Sequence, residues 1–264
     1  MDLQLQGKTA FISGSTSGIG YGCAKLFCKE GIHVILNGRT EASVQKAIAQ
    51  LSAEVSGVQI SGIATDFSSR EEVYELLPQI ADVDILVNNV GIYKSESFFE
   101  SSDEDWYRQY EVNVMSGVRL SRKLLPSMIK RGWGRIIFVS SECATLVPED
   151  LIAYSSTKTA IHAISRGLAQ LTRGTAVTVN TVTPGSTMTE GAKDFLGHLA
   201  TKEGITVEQA ASDFFKNVRT SSLIERFVSV EEVASAIIYL ASPLSAGTNG
   251  STIKIDGGSM SGIL

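Results

Sequence analysis

Short apolar runs alternate with longer amphipathic stretches along almost the whole chain. Residues 8–13 (KTAFIS) form the first such run, and 33–37 (HVILN), 58–64, 84–88 (DILVN), 135–140 (RIIFVS), 176–182 and 251–255 repeat it. Runs this short predict strands. The stretches between them, at 19–30, 41–55, 69–80, 105–130, 154–173 and 231–241, have helical spacing. Strands that are apolar on both faces, each followed by a helix, predict a parallel sheet with helices on either side. The predicted fold is α/β: a Rossmann-type doubly wound parallel sheet in three α/β/α layers, one domain over residues 1–264.

Residues 190–225 depart from this rhythm. They run from a Pro-Gly turn through Gly191, Gly197 and Gly204 with no strand candidate, and mix Phe195, Leu196, Phe214 and Phe215 with Lys193, Lys202, Lys216 and Arg219. This segment is predicted to be a helical lid or insertion over one edge of the site, its basic residues either solvated or turned toward a substrate on a phosphate-bearing carrier. The 105–130 helix is apolar on more than one face: Val114, Val118 and Leu125 lie along one line, and Met115, Leu120, Leu124, Met128 and Ile129 spread over others. A sheet covers one face of a helix, so a second chain is expected on the other, giving a homodimer or homotetramer.

Composition narrows the function classes. A formal charge of −5, with no basic stripe, argues against nucleic acid as a partner. No apolar run approaches the roughly 20 residues that cross a bilayer, and the first residues lack a basic-then-apolar leader. A cytoplasmic protein without a membrane partner is expected. Cys23, Cys28 and Cys143 have neither zinc nor CxxC spacing and read as core fillers. His33, His162 and His198 are scattered, so no metal site is expected.

Three motifs carry candidate chemistry. Gly14, Gly18 and Gly20 lie between the first strand and first helix, where glycine lets the backbone approach a phosphate and the helix N-terminus supplies free amides. Their spacing is GxxxGxG rather than GxGxxG. Gly38 follows the second strand, where an acid would bind the 2′-hydroxyl of NAD; Arg39 beside it suits the 2′-phosphate of NADP. Tyr154 and Lys158, four apart, share a helix face, and a nearby ammonium is expected to lower the phenol pKa.

Taken in order, these residues resemble the short-chain dehydrogenase/reductase family over essentially the whole chain. The family's glycine motif is similar to Ser13-Gly14-Ser15-Thr16-Ser17-Gly18-Ile19-Gly20, and its NNAG to Asn88-Asn89-Val90-Gly91. Its helix Asn matches Asn113, its Ser matches Ser141 (thirteen residues before Tyr154), and its YxxxK matches Tyr154 and Lys158. Pro184-Gly185, followed by Thr187 and Thr189, and the closing Asp256-Gly257-Gly258 complete the match.

The resemblance implies hydride transfer between NADP(H), with NAD(H) as the second choice, and a small carbonyl or secondary alcohol substrate. It implies that Ser141 holds the substrate oxygen, Tyr154 exchanges its proton, Lys158 tunes Tyr154 and binds the ribose, and Asn113 holds a water that reloads the relay. It further implies cofactor contacts from Gly14, Ser15, Thr16, Ser17, Gly18, Ile19, Gly20, Arg39, Asp66, Phe67, Asn89, Val90, Gly91, Pro184, Gly185, Thr187 and Thr189. Val90 replaces the family's Ala and adds bulk beside the expected ribose; Thr187 replaces its Ile or Val. Glu142, Glu149 and Asp150 are expected to be solvated. Two other readings stay open: an NAD-dependent alcohol or polyol dehydrogenase, and an NADP-binding regulatory module without turnover.

Overall fold

The seven apolar runs become seven strands, described here in a computed structural model over residues 2–80 and 82–262. They are β1 (Thr9–Ile12), β2 (His33–Gly38), β3 (Ile60–Ala64), β4 (Ile85–Asn88), β5 (Gly134–Val139), β6 (Val177–Pro184) and β7 (Thr252–Ile255). All pair in parallel, in the order β3-β2-β1-β4-β5-β6-β7. The chain builds outward from β1 to β3, then returns to the other side of β1 with β4. That reversal opens a crevice at the C-terminal ends of β1 and β4, where ligands of such sheets bind.

Side chains alternate across the sheet and supply a core on each face. Ala10, Ile12, Ile85 and Val87 join Leu36, Ile137 and Val182 under α1 (Gly18–Lys29), α2 (Glu41–Glu54) and α10 (Val230–Ala241). Phe11 and Leu86 point the other way, with Ile136, Phe138 and Val179, toward α5 (Ser116–Arg131) and α7 (Ile152–Leu171). Near the edge, α3 (Arg70–Leu76) continues as a 3-10 turn, Leu77–Ile80.

The long helix expected over 105–130 is in fact two. α4 (Asp103–Tyr110) runs into a π-helical turn, Glu111–Met115, before α5 begins. The wider turn inserts a residue and re-aims the side chains that follow. Buried Arg119 steadies it by pairing with Glu111 at 2.6 Å. The apolar breadth of this segment also has a nearer explanation than a partner chain. Leu120, Leu124, Leu125 and Met128 are all buried within their own chain, against β4, β5 and the 3-10 turn.

The lid segment is helical, as α8 (Glu190–Glu203) and α9 (Val207–Asn217). Leu196, Ala200 and Ala210 give it a small core of its own, closed by Phe227. Phe214 stacks on Phe227 at 5.2 Å, and Phe215 meets both edge-on. The short α6 (Cys143–Leu146), after β5, has no counterpart in the apolar pattern. Among the described residues no helix is long and apolar enough to cross a membrane.

Leu124 is fully buried against the sheet, so Leu124→Ala should cost about 2–5 kcal/mol of stability. Urea unfolding checks this; a loss below about 1 kcal/mol would show that the helix packs loosely there.

Candidate active site

Two short polar networks fix the turn between β1 and α1. Asn37 Oδ1 accepts from Gly14 N at 2.9 Å, and Asn37 N donates to Ser15 Oγ, which in turn donates to Ile12 O. Asn89 Nδ2 donates to Ser13 O and Gly14 O, at 3.0 and 2.8 Å. Ser13 Oγ receives the amides of Asn89 and Val90, closing β1 onto β4. Gly14 and Gly18 lie at positive φ, where a side chain would be strained. Ser15 departs from the expected role: it is fully buried, its hydroxyl is spent inside the turn and its amide donates to Asn37 O. It shapes the loop rather than facing a ligand. Gly20 is buried too, with no space for a side chain between Gly14 O and Asn89.

A cleft of about 330 Å³ opens beside this turn. Gly14, Thr16 and Ser17 line one wall, and Asp66, Phe67, Asn89, Val90 and Gly91 the other. Arg39 stands at its mouth, and so does Arg108 from α4, a cation the motif reading missed because it lies far away in sequence. Asp66 takes two hydrogen bonds from Ser68, 2.9 and 2.8 Å. Those bonds, helped by Arg39 and Arg108, hold its carboxyl below the usual range. Gly38 cannot carry an acid: an added methyl would sit 2.8 Å from Ser43 Oγ and closer still to Thr16.

The Ser, Tyr, Lys and Asn converge at the inner end of the crevice. Lys158, 3% exposed, donates to Val139 O at 3.0 Å, and its ammonium lies 5.5 Å from the Tyr154 ring centre. Asn113, in the π-helical turn, accepts from Ile92 N at 2.7 Å and donates to Ile92 O and Thr157 Oγ1. Gly91 packs closely on them: a methyl there would lie 3.3 Å from Lys158 Nζ and 3.6 Å from Asn113 Oδ1. Ser141 Oγ accepts only a local bond, from Cys143 N at 3.2 Å, and a hydrogen bond to Tyr154 is among the influences on that phenol. Its neighbour Ser140 is turned away, donating to Lys158 O beside His162 Nε2.

Burial dominates the electrostatics here. It raises the Tyr154 pKa above that of an ordinary phenol, and nearby Cys143 adds to the rise. The expected lowering by Lys158 is not found among the influences on the phenol, whose burial dominates. Lys158 itself is pushed down to about 8 by desolvation.

After β6, Pro184 ends the strand, and Gly185 has no room for a side chain, which would meet Asp256 Cα at 2.7 Å. Thr187 donates to Gly185 O, and Thr189 caps α8 through Ala192 N. The lid begins with a contact that sequence spacing did not reveal: Glu190 Oε2 accepts from Gly18 N at 3.0 Å, on the first turn of α1. Glu142 is also not solvated as expected. It is 2% exposed and pairs with Arg219 at 2.9 Å. Asp150 ties its loop to Ser95. Tyr93, 71% exposed, packs edge-on against Tyr154 with ring centres 5.8 Å apart.

A crevice at the sheet reversal, with a helix N-terminus on one wall and two arginines at its mouth, has the shape and charge for a dinucleotide. The fold and this crevice place the protein among dinucleotide-binding α/β proteins. Residues 8–198 match the family model for short chain dehydrogenase, so the chain belongs to that family of oxidoreductases. It is 45% identical over 258 residues to the uncharacterized oxidoreductase YvaG of Bacillus subtilis (strain 168), covering 98% of both chains. It is 31% identical to D-beta-hydroxybutyrate dehydrogenase of Rhizobium meliloti (strain 1021), covering 95% of this chain and 98% of that one. Among solved structures, L-sorbose reductase from Gluconobacter frateurii, complexed with NADPH and L-sorbose, superposes with TM-score 0.93 at 32% identity over the full length of both chains.

Glu190 and a cofactor diphosphate are both anionic and compete for the same end of α1. Glu190→Gln should therefore tighten dinucleotide binding about two- to fivefold, the 0.3–1 kcal/mol scale of a charge at a helix end. Titration of cofactor fluorescence measures it; unchanged or weaker binding would mean the two anions do not compete.

Proposed function

We propose that the protein interconverts a carbonyl group and a secondary alcohol with NADP(H), Tyr154 acting as general acid and base. The observation that supports this most is the convergence of Ser141, Tyr154, Lys158 and Asn113 beside Gly91, which itself lines the cleft. NADP(H) supplies or accepts the hydride. Everything else falls to the chain's own groups.

Ser141 donates a hydrogen bond to the substrate oxygen and holds it beside the Tyr154 hydroxyl. Tyr154 passes its proton to that oxygen during reduction. Lys158, still an ammonium at neutral pH, offers positive charge to the phenolate left behind. Asn113 takes part by fixing the Ile92 backbone next to Gly91 and by orienting water that returns a proton through Lys158.

The backbone of Gly14, Thr16, Ser17, Gly18 and Ile19 would hold the diphosphate at α1, and Asn89, Val90 and Gly91 the adjoining ribose. Asp66 and Phe67 would receive the adenine; Pro184, Gly185, Thr187 and Thr189 would border the nicotinamide. Arg39, with Arg108 across the cleft, would pair the 2′-phosphate. NADP rather than NAD is supported by these cations, by the lack of space for an acid at Gly38 and by the NADPH bound in L-sorbose reductase. A homo-oligomer in the cytoplasm remains the expected setting.

Tyr154→Phe should lower kcat by 10³-fold or more while leaving the NADPH Kd within about twofold, since general acid catalysis contributes at this scale. Stopped-flow turnover of a ketone measures it, and near-normal kcat would remove Tyr154 from the reaction. Arg39→Ala should weaken NADPH binding by about tenfold and NADH binding less than twofold, as a charge-assisted bond to phosphate contributes about 1.5–3 kcal/mol. Equal losses for both cofactors would detach Arg39 from the 2′-phosphate. Lys158 is charged below about pH 8 and neutral above it. Carbonyl reduction should therefore fall as pH rises through about 8, and a rate still flat at pH 9 would contradict the role given to the ammonium.

A further inference from the structure

Next to Ser141 lies an ion pair that the reaction described above does not use. Glu142 Oε1 accepts from Arg219 Nε at 2.9 Å and from Ser186 Oγ at 3.0 Å. Its backbone amide donates to Pro184 O. Its second oxygen is buried without a hydrogen-bond partner among the described residues. The carboxylate is thus locked between the strand that ends at the catalytic Ser and the loop after β6. It cannot swing away, and neither can the side chain it holds.

Arg219 comes from the far end of the lid, two residues beyond α9. Among the described residues only Nε takes part in a hydrogen bond; the guanidinium lies 5.9 Å from the Phe214 ring, and its side chain is 16% exposed. Its charge reaches Cys143, two residues from Ser141, while that of Glu142 reaches Tyr154. Among the described residues the two outer nitrogens of Arg219, with as many as four N–H groups, have no hydrogen-bond partner, and the side chain is anchored on the residue next to Ser141. Exposed Tyr93 supplies an aromatic wall on Tyr154 itself.

We infer that Arg219, aimed by Glu142, is the specificity residue that reads hydroxyl groups next to the reacting carbon, and that the substrate is a neutral polyhydroxylated ketone. This rests on the reading of Ser141 and Tyr154 as the reacting pair. The argument for hydroxyls over a carboxylate is electrostatic. Glu142 already balances the guanidinium, so the pair presents hydrogen-bond donors without net positive charge. A carboxylate would meet the buried anion of Glu142 one residue from Ser141. A hydroxyl oxygen accepts from the free N–H groups at no such cost, and a sugar's C–H face suits the Tyr93 ring. A site built to hydrogen-bond a substrate hydroxyl also discriminates strongly against an analogue that lacks it.

The test compares a ketohexose with 2-hexanone and with a 3-keto acid in the full-length protein carrying Arg219→Met, Arg219→Lys or Glu142→Gln. Arg219→Met should raise KM for the ketohexose at least tenfold, with the NADPH Kd and the kcat/KM for 2-hexanone within twofold. Arg219→Lys should recover part of the loss. Glu142→Gln, nearly isosteric, frees the guanidinium charge and should improve use of the keto acid. Equal losses on both ketones would make Arg219 a brace for the lid, and a loss confined to the keto acid would make it a carboxylate site; either overturns the inference.

Calorimetric titration of a hexitol into the protein–NADP⁺ complex gives a readout that needs no turnover. Arg219-dependent hexitol binding without reduction of any ketone would sink the proposed reaction and leave the recognition standing. Reduction of 2-hexanone with no hexitol binding would do the reverse.

Discussion

The hydrogen bonds that Ser13 and Asn89 make between β1 and β4 hold the site together, because they cross the sheet where its strand order reverses. On one side the chain has gone out through β2 and β3; on the other it continues through β5, β6 and β7. Nothing in the strand ladders requires the loops after β1 and β4 to stay apart or in register. Ser13 Oγ, taking the amides of both Asn89 and Val90, does so, and Asn89 returns two bonds to Ser13 and Gly14. The Gly14 turn can then face the crevice with its backbone amides, while Asn37 fixes the same turn from the β2 side. Side chains on three strands are committed to placing one loop.

The inner end of the crevice is governed by burial in a different sense. Tyr154 and Lys158 share a helix face, as their spacing requires, yet Lys158 does not lower the Tyr154 pKa here. Desolvation acts on both, keeping the phenol protonated and bringing the ammonium close to neutrality. The π-helical turn at Glu111–Met115 contributes by geometry: an uninterrupted α-helix would not deliver Asn113 to the Ile92 backbone with the same aim.

The apolar pattern was enough to read every strand and the main helices, since a parallel sheet buried on both faces leaves little freedom in where apolar runs fall. Motif residues were legible where the backbone forces the choice, at Gly14, Gly18 and Gly185. Contacts between segments distant in sequence were not. Glu142 looks like any loop acid until Arg219, 77 positions later, is folded onto it. Arg108 enters the cleft from α4 with no signature of its own, and Ser15 belongs to the glycine motif while its side chain serves the turn. The breadth of apolar surface on α5 could not be apportioned from spacing for a related reason. Hydrophobic spacing records that a face is covered, but not whether its own chain or another covers it, and here Leu120, Leu124 and Met128 are enclosed by their own sheet and 3-10 turn.

The lid is pinned at its two ends by unlike contacts, and the difference has consequences. At its start, exposed Glu190 reaches the α1 amide, a site that an anionic diphosphate also favours. At its end, Arg219 meets a buried carboxylate that also accepts from Ser186 Oγ. Coulomb attraction is screened by water and salt at an exposed pair and far less at a buried one. The Glu190 end is therefore the one that yields when a competing anion arrives, while the Arg219 end keeps its register against Ser141. Between them, α8 and α9 carry their own small core of Leu196, Ala200 and Ala210, so the packing of the segment depends on neither contact.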